Sequence, residues 1–279
     1  MSMLNRRLFL ASAAAIGAAA PTARAQSQRT TSAAAPRDAA VFNGRPRNVR
    51  GKILYIGDDD KERGREWFGF TYREDRQVTL RAYCEIDDTR VQRDVVQSMD
   101  ERFRPLDCFV RLHVDGKFLG TGWIRVTETE AECEVSSIEL GRVHQRMPLA
   151  VPALSLVSHP LSTDSLLMAA FDHSKSERIQ SWSGGLSTSP LLNGGSGPFI
   201  SVGGQRSVEY VGAERATTRA GTFDTHRYRL LMGRSRDGRR PSYEIWCTHP
   251  HYIFVRGEVR DYLSNATGAG RYELVEFGA

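Results

Sequence analysis

The chain has 279 residues, 25% of them charged and 9% aromatic, with a formal net charge of +5. Its basic residues are interspersed with acids, as in Arg73 to Arg76 and Arg234 to Arg240, and form no lysine-rich or aromatic-interleaved stripe. A nucleic-acid reader needs a concentrated basic face, so no nucleic-acid partner is expected.

The chain opens on Arg6-Arg7-Leu8-Phe9-Leu10, an apolar run to Ala20, Pro21, and Ala23-Arg24-Ala25 ahead of Gln26. A positive start, a short apolar run weakened by Gly17, and small residues before the cut have the layout of a signal peptide. Paired arginines followed by Phe-Leu read as a twin-arginine address. The apolar run is well short of the roughly 20 residues that a transmembrane helix needs. Residues 1–25 are therefore expected to engage the twin-arginine translocase and to be removed near Ala25. That leaves a periplasmic or secreted protein with no membrane span in the mature chain. Loss of Arg6, Arg7 and Arg24, with no acid, lowers the formal charge from +5 to +2. Residues 26–45, rich in Ser, Thr, Ala and Arg, read as a disordered leader, and residues 46–279 as a single β-rich domain.

From Lys52 the apolar pattern has period two, the mark of strands with one dry and one wet face. Val78, Leu80, Ala82, Cys84 and Ile86 share one side, against Gln77, Thr79, Arg81 and Glu85. Residues 107 to 126 read as a hairpin turning at Asp115-Gly116, a pair that accepts the positive φ values of a tight primed turn. Setting Val114 opposite Lys117 places Leu112 by Leu119 and Cys108 by Trp123. The other face then carries Phe109, Arg111, His113 and Phe118, a mixture suited to a ligand-facing concavity.

Further strands are expected at 131–140, 207–213, 224–232, 242–248, 252–260 and 271–277. Between them, Leu166, Leu167, Ala170 and Phe171 recur at helical spacing, which predicts a helix over 163–175 capped by Ser162 or Thr163. The Ser/Gly/Pro-rich stretch from Ser181 to Gly204 reads as a long loop within the domain. Together these features predict a mainly β fold. Its core is a curved antiparallel sheet, half-barrel or barrel-like, with one short helix and a long Gly/Ser-rich loop. Cys84, Cys108, Cys133 and Cys247 show neither a redox nor a zinc-knuckle spacing and are expected as buried free thiols.

The run Val208-Glu209-Tyr210-Val211-Gly212-Ala213-Glu214, followed by Ala220-Gly221-Thr222-Phe223, resembles the A-G-T-F strand-turn-strand of uncharacterised exported proteobacterial proteins. Their fold is similar to the half-barrel of lipoprotein carriers. Glu244-Ile245-Trp246 and Arg271-Tyr272-Glu273-Leu274-Val275 fit the same picture. The resemblance covers roughly the last 70 residues. It implies a curved antiparallel sheet around a helix or an open apolar groove, and it brings no catalytic residue. Against that pattern this chain is longer and inserts the polar block 141–205.

Loops on a rigid β scaffold often carry function, so the inserted block is the first place to look for chemistry. His159 and Asp164 flank the start of the expected helix, where a His with a carboxylate partner suits a general base. Arg111 would anchor an anionic substrate. The plainer reading has Asp164 neutralise the helix start and His173 its end. His249-Pro250-His251 with His226 would bind zinc only if all converged. The intervening proline makes a turn, so no metal and no cofactor is expected. The glycines at 184–185 and 194–197 lack the helix and basic residue of a phosphate loop, and no Gly-x-Ser-x-Gly elbow is present. The leading function is thus an exported protein that holds a small apolar or aromatic ligand in a concave sheet. Its contacts would be Phe109, His113, Phe118, His173 and His226. The alternatives are a cofactor-independent lyase, isomerase or hydrolase using His159 and Asp164, and an envelope structural protein.

Overall fold

A computed structural model describes residues 47–188, 195–231, 241–260 and 269–278. The signal-like residues 1–25 and the leader 26–45 lie outside the described residues, as does the basic run 234–240. The first half contributes β1 (Arg47–Gly57), β2 (Glu62–Tyr72), β3 (Val78–Ile86), β4 (Val91–Met99), β5 (Pro105–Val114), β6 (Lys117–Val126), β7 (Glu130–Ser137) and β8 (Gly141–Pro148). The second contributes β9 (Ser155–Val157), β10 (Ile179–Ser187), β11 (Ser201–Thr218), β12 (Gly221–Leu231), β13 (Ser242–Cys247), β14 (Phe254–Arg260) and β15 (Ala269–Gly278).

All fifteen strands join one sheet in the order β8-β7-β6-β5-β4-β3-β2-β1-β15-β14-β13-β12-β11-β10-β9. The first and last strands pair with each other at its middle. Each half is a meander growing outward from that pair, antiparallel throughout except for the parallel β9–β10 contact. The outermost strands, β8 and β9, are not neighbours, so the curved sheet is unclosed. Among the described residues no helix is long and apolar enough to cross a membrane.

Alternation builds the two faces as the period-two pattern requires. In β4, Val91, Arg93, Val95, Gln97 and Met99 are buried while Gln92, Asp94 and Val96 face out. Asp115 and Gly116 take φ of 54° and 70°, the primed turn that an Asp-Gly pair favours. Beyond that turn the pairing departs from simple counting. His113 faces Phe118, but Leu112 faces Gly120 and Cys108 faces Ile124, with a register shift between Leu112 and His113. Leu119 is therefore the extra residue of a β-bulge, and the expected Leu112/Leu119 and Cys108/Trp123 pairs do not form.

The sheet's interior is filled by the chain itself. After β8 the segment from Ala153 runs across the inner face through β9, one helical turn α1 (Leu161–Asp164) and a 3-10 turn over Ser165–Ala170. Leu161, Leu166, Leu167, Met168 and Phe171 are all buried, so this plug is apolar on nearly every side. The helix is shorter than the predicted 163–175 because Asp172 stops it. Its Oδ1 accepts the Ser174 N–H at 3.0 Å and the Ser174 hydroxyl at 2.6 Å, and Gln180 clamps its backbone from β10. Thr163 does not cap the turn either, since its hydroxyl donates to the Pro160 carbonyl at 2.7 Å.

The block 141–205 is likewise no simple insertion, because it carries β8, β9, β10 and the start of β11. Glycine serves there for close approach rather than looseness. A Cβ on Gly184 would lie 2.6 Å from the Pro152 carbonyl oxygen, and one on Gly185 would lie 2.8 Å from that of Gly204. The segment around Ser196 rests on the inner face of β6 to β8. The Phe199 N–H donates to Gln145 Oε1 at 2.7 Å, and a Cβ on Gly122 would stand 1.6 Å from the Ser196 carbonyl oxygen. Gly122→Ala should therefore cost about 1–3 kcal/mol in a denaturant melt, because two backbones must separate. Gly69→Ala is the control, since its nearest neighbour would be the Val49 oxygen at 3.7 Å. Equal melts for the two variants would contradict this packing.

Candidate ligand site

The inner face of β11 to β13 collects aromatic rings where the end of the plug meets the sheet. Tyr210 pairs with Tyr228 across β11 and β12, while His226 and Tyr228 face Cys247 and Ile245 of β13. Cys247, Ile245 and Tyr228 are fully buried, which fixes this as the interior side. A register shift between Tyr210 and Gly212 turns β11 locally and brings Tyr210 toward His226. Phe171 and His173 arrive from the plug, and His249 and Tyr252 from the turn between β13 and β14.

The rings contact each other mostly edge to face or tilted, the arrangements that aromatic quadrupoles favour. Phe171 lies 5.7 Å from Tyr210 and 5.8 Å from Tyr228, centroid to centroid. His173 stands 4.8 Å from Tyr210, 5.1 Å from His226 and 5.7 Å from His249. His226 and His249 are nearly parallel at 5.0 Å, and Tyr252 closes the far side 5.5 Å from His249. His173 Nε2 and the Tyr228 hydroxyl are hydrogen-bonded at 2.8 Å. His173 and His249 are exposed, His226 and Tyr210 are half-buried, and Tyr228 and Tyr252 are buried behind them. The cluster thus lies at the rim of the packed interior.

Burial lowers the His173 pKa, and the neighbouring His226 and His249 lower it further; burial also lowers that of His226. Burial drives the Tyr228 hydroxyl strongly upward, so it stays neutral. The neutral imidazole is thus favoured at His173 and His226. The Nδ1 atom of His226 is buried with no hydrogen-bond partner among the described residues.

A second polar group lies deeper and holds the plug. Glu66, fully buried in β2, accepts the Leu161 N–H at 2.7 Å, the Ser162 N–H at 3.0 Å and the Tyr55 hydroxyl at 2.8 Å. It therefore caps α1 in place of Asp164, Ser162 or Thr163. Cys84 and Arg93 continue the row from Glu66 across β3 and β4, and Gln97 accepts the Ser158 hydroxyl at 2.9 Å. Asp164 accepts the Tyr243 hydroxyl at 2.8 Å, and burial, reinforced by the charge of Glu66, pushes its pKa up to about 7. His159 takes φ of 76°, and its ring borders Gly195 beside Arg93.

Of the residues expected to bind a ligand, the structure brings His173 and His226 together. Phe109, Arg111, His113 and Phe118 lie on the opposite, outer side of the sheet, because Cys108, Val110 and Leu112 take the inward phase of β5. There Arg111 sits over the Phe118 ring at 5.4 Å, and His113 meets Phe118 at 5.6 Å. The sheet therefore separates Arg111 from His159 and Asp164, which face the interior. His251 turns away from His249 and packs on Tyr72 at 5.5 Å. Sequence reading passed over Glu66, Tyr210 and Tyr228. Glu66 did carry a signal, as a lone acid in the inward phase of β2 between Gly64 and Phe68. All four cysteines are buried free thiols.

No family model and no curated protein matches the chain. Solved structures do. A β-barrel-like protein of the domain of unknown function DUF1849 from Brucella abortus aligns over 83% of this chain and 96% of its own, with a TM-score of 0.51 and 9% identity. The likeness is one of fold. A "putative exported protein with YmcC-like fold" from Bacteroides fragilis NCTC 9343 aligns over 83% and 95% at 11% identity, with a TM-score of 0.30. A "putative lipoprotein" from Parabacteroides distasonis ATCC 8503 aligns over the same shares at 10% identity and 0.30. Scores at that level carry no weight for shape. The first match agrees with a barrel-like β fold.

Proposed function

We propose that this protein is an exported half-barrel that binds a small apolar or aromatic molecule at the ring-lined mouth formed by Phe171, His173, Tyr210, His226, Tyr228 and His249. The observation that carries this reading is the convergence of these six rings on the interior rim while two of the imidazoles remain exposed. Concave aromatic walls with a few fixed polar atoms are the usual make-up of small-molecule sites. The export half of the reading rests on the Arg6-Arg7-Leu8-Phe9-Leu10 start.

The plug bears on ligand size. Because Leu161 to Phe171 fill the space behind the mouth, a compact ligand suits the site better than a long acyl chain. An acid/base role for His159 and Asp164 draws less support, since Asp164 is engaged by Tyr243 and Arg111 stands on the outer face.

Titration of the purified protein with an anilinonaphthalene sulfonate dye tests the proposal. Tyr210→Ala should weaken dye binding about tenfold, equivalent to about 1.4 kcal/mol. Phe109→Ala and Phe118→Ala, on the outer face, should leave it unchanged. The reverse pattern would move the site to the outer hairpin.

A further inference from the structure

We propose that His173, His226 and His249 together bind one divalent transition-metal ion, with zinc the best match. This goes beyond the aromatic-ligand reading and does not depend on it. The first support is spacing. With a metal–nitrogen bond of about 2.0–2.1 Å, an imidazole centroid sits about 3.2 Å from the ion, so tetrahedral ligands place their centroids about 5 Å apart. The three rings are 5.0, 5.1 and 5.7 Å apart, a nearly closed triangle.

The second support is hydrogen bonding. When His173 Nε2 donates to the Tyr228 hydroxyl, its Nδ1 keeps a lone pair, the outer-shell arrangement by which ligating histidines are commonly oriented. His226 Nδ1 is buried and has no hydrogen-bond partner among the described residues, so an ion there would satisfy an atom that the fold leaves unmet.

The nitrogens do not yet converge. Among the described residues only Glu132, Glu134 and His144 have donor atoms within 4.8 Å of one another. That outer group is a poorer cation site, because Arg125 holds Glu132 at 2.7 Å and Arg142 approaches Glu134 at 3.8 Å. Closing the histidine triangle needs side-chain rotation, and His173 and His249 are exposed at the rim. Three imidazoles would leave the fourth position open to solvent, and a borderline ion such as zinc suits an all-nitrogen set.

The experiment is a zinc titration of the full protein, purified without a polyhistidine tag, in competition with a chromophoric chelator. The expected result is one zinc per chain with a Kd of about 10 µM or tighter. His249→Ala, in an exposed turn, should weaken binding at least about tenfold, and His226→Ala should do the same. His144→Ala should change nothing. Cobalt should give the intense visible absorption of a tetrahedral nitrogen site in the wild type, and this should be lost in His249→Ala. Tyr210→Ala should weaken dye binding about tenfold yet keep the zinc, which separates the two proposals. Zinc binding absent at about 100 µM, or kept at wild-type strength in a folded His249→Ala, or abolished by His144→Ala, would overturn the site.

Discussion

Replacing Asp164 by Asn should leave stability nearly unchanged at about pH 4 and raise it markedly at about pH 8. The reasoning starts from the carboxyl group, which is largely buried beneath the sheet and accepts the Tyr243 hydroxyl at 2.8 Å. Burial, and after it the charge of Glu66, raises its pKa from the ordinary 3.8 to about 7, while the Tyr243 bond opposes the rise. Between those values the folded chain keeps a proton that the unfolded chain has released. Stability is thus fully present below 3.8 and is lost as pH rises through about 7. At about 1.4 kcal/mol per unit the loss reaches at most about 4 kcal/mol, an upper bound because part of the residue meets solvent. Asn keeps an oxygen for Tyr243 and never ionises.

Thermal melts of both proteins across that pH range give the answer as a difference curve. His173 and His226 also contribute a pH dependence, but of opposite sign. Their lowered pKa values give stability above the ordinary 6.5 that is lost as pH falls. Present in both proteins, they cancel in the subtraction. Parallel curves would mean that Asp164 is already ionised in the fold near neutrality.

The parts of the fold that sequence made legible are those set by local rules. Residues 78 to 86 read as a strand because apolar side chains alternate, and the Asp115-Gly116 turn because both residues tolerate positive φ. What stayed hidden depends on distant contacts. Nothing local marks Leu119 as a bulge, and that single residue shifts every pair beyond it. β10 read as a loop because its glycines look like flexible punctuation, whereas they admit the backbones of Pro152 and Gly204. The choice of face also went wrong for a non-local reason. Both sides of β5 carry apolar residues, and the plug, more than forty positions away, decides which of them is inner. The histidines show the same limit. Sequence proximity pairs His249 with His251, yet the turn sends His251 to Tyr72 and brings His173 from the plug instead.

The largest loss from a single side chain is expected at Glu66, where Glu66→Ala should cost about 3–5 kcal/mol. Burial raises the Glu66 pKa, against the pull of its bonds to Ser162, Tyr55 and Leu161, so the fold bears the cost of holding this acid in its core. Its two oxygens serve four donors: Oε1 takes the Ser162 N–H, and Oε2 takes the Leu161 N–H, the Tyr55 hydroxyl and, at 3.7 Å, the Cys84 thiol. Pro160, at the helix start, offers no side-chain cap, so nothing local replaces those bonds. Alanine would leave two buried amides, a buried phenol and a cavity. Glu66→Gln keeps the volume but turns an NH2 group toward at least one of the donors, and should cost about 1–3 kcal/mol. Tyr55→Phe removes one donor and leaves the helix cap in place, so it should cost less than either. Denaturant melts should order the variants Ala, Gln, Phe from most to least destabilised. If Glu66→Ala does not fold, the Gln and Phe variants alone test the order, and a Gln variant as stable as wild type would show that Glu66 does not hold the plug.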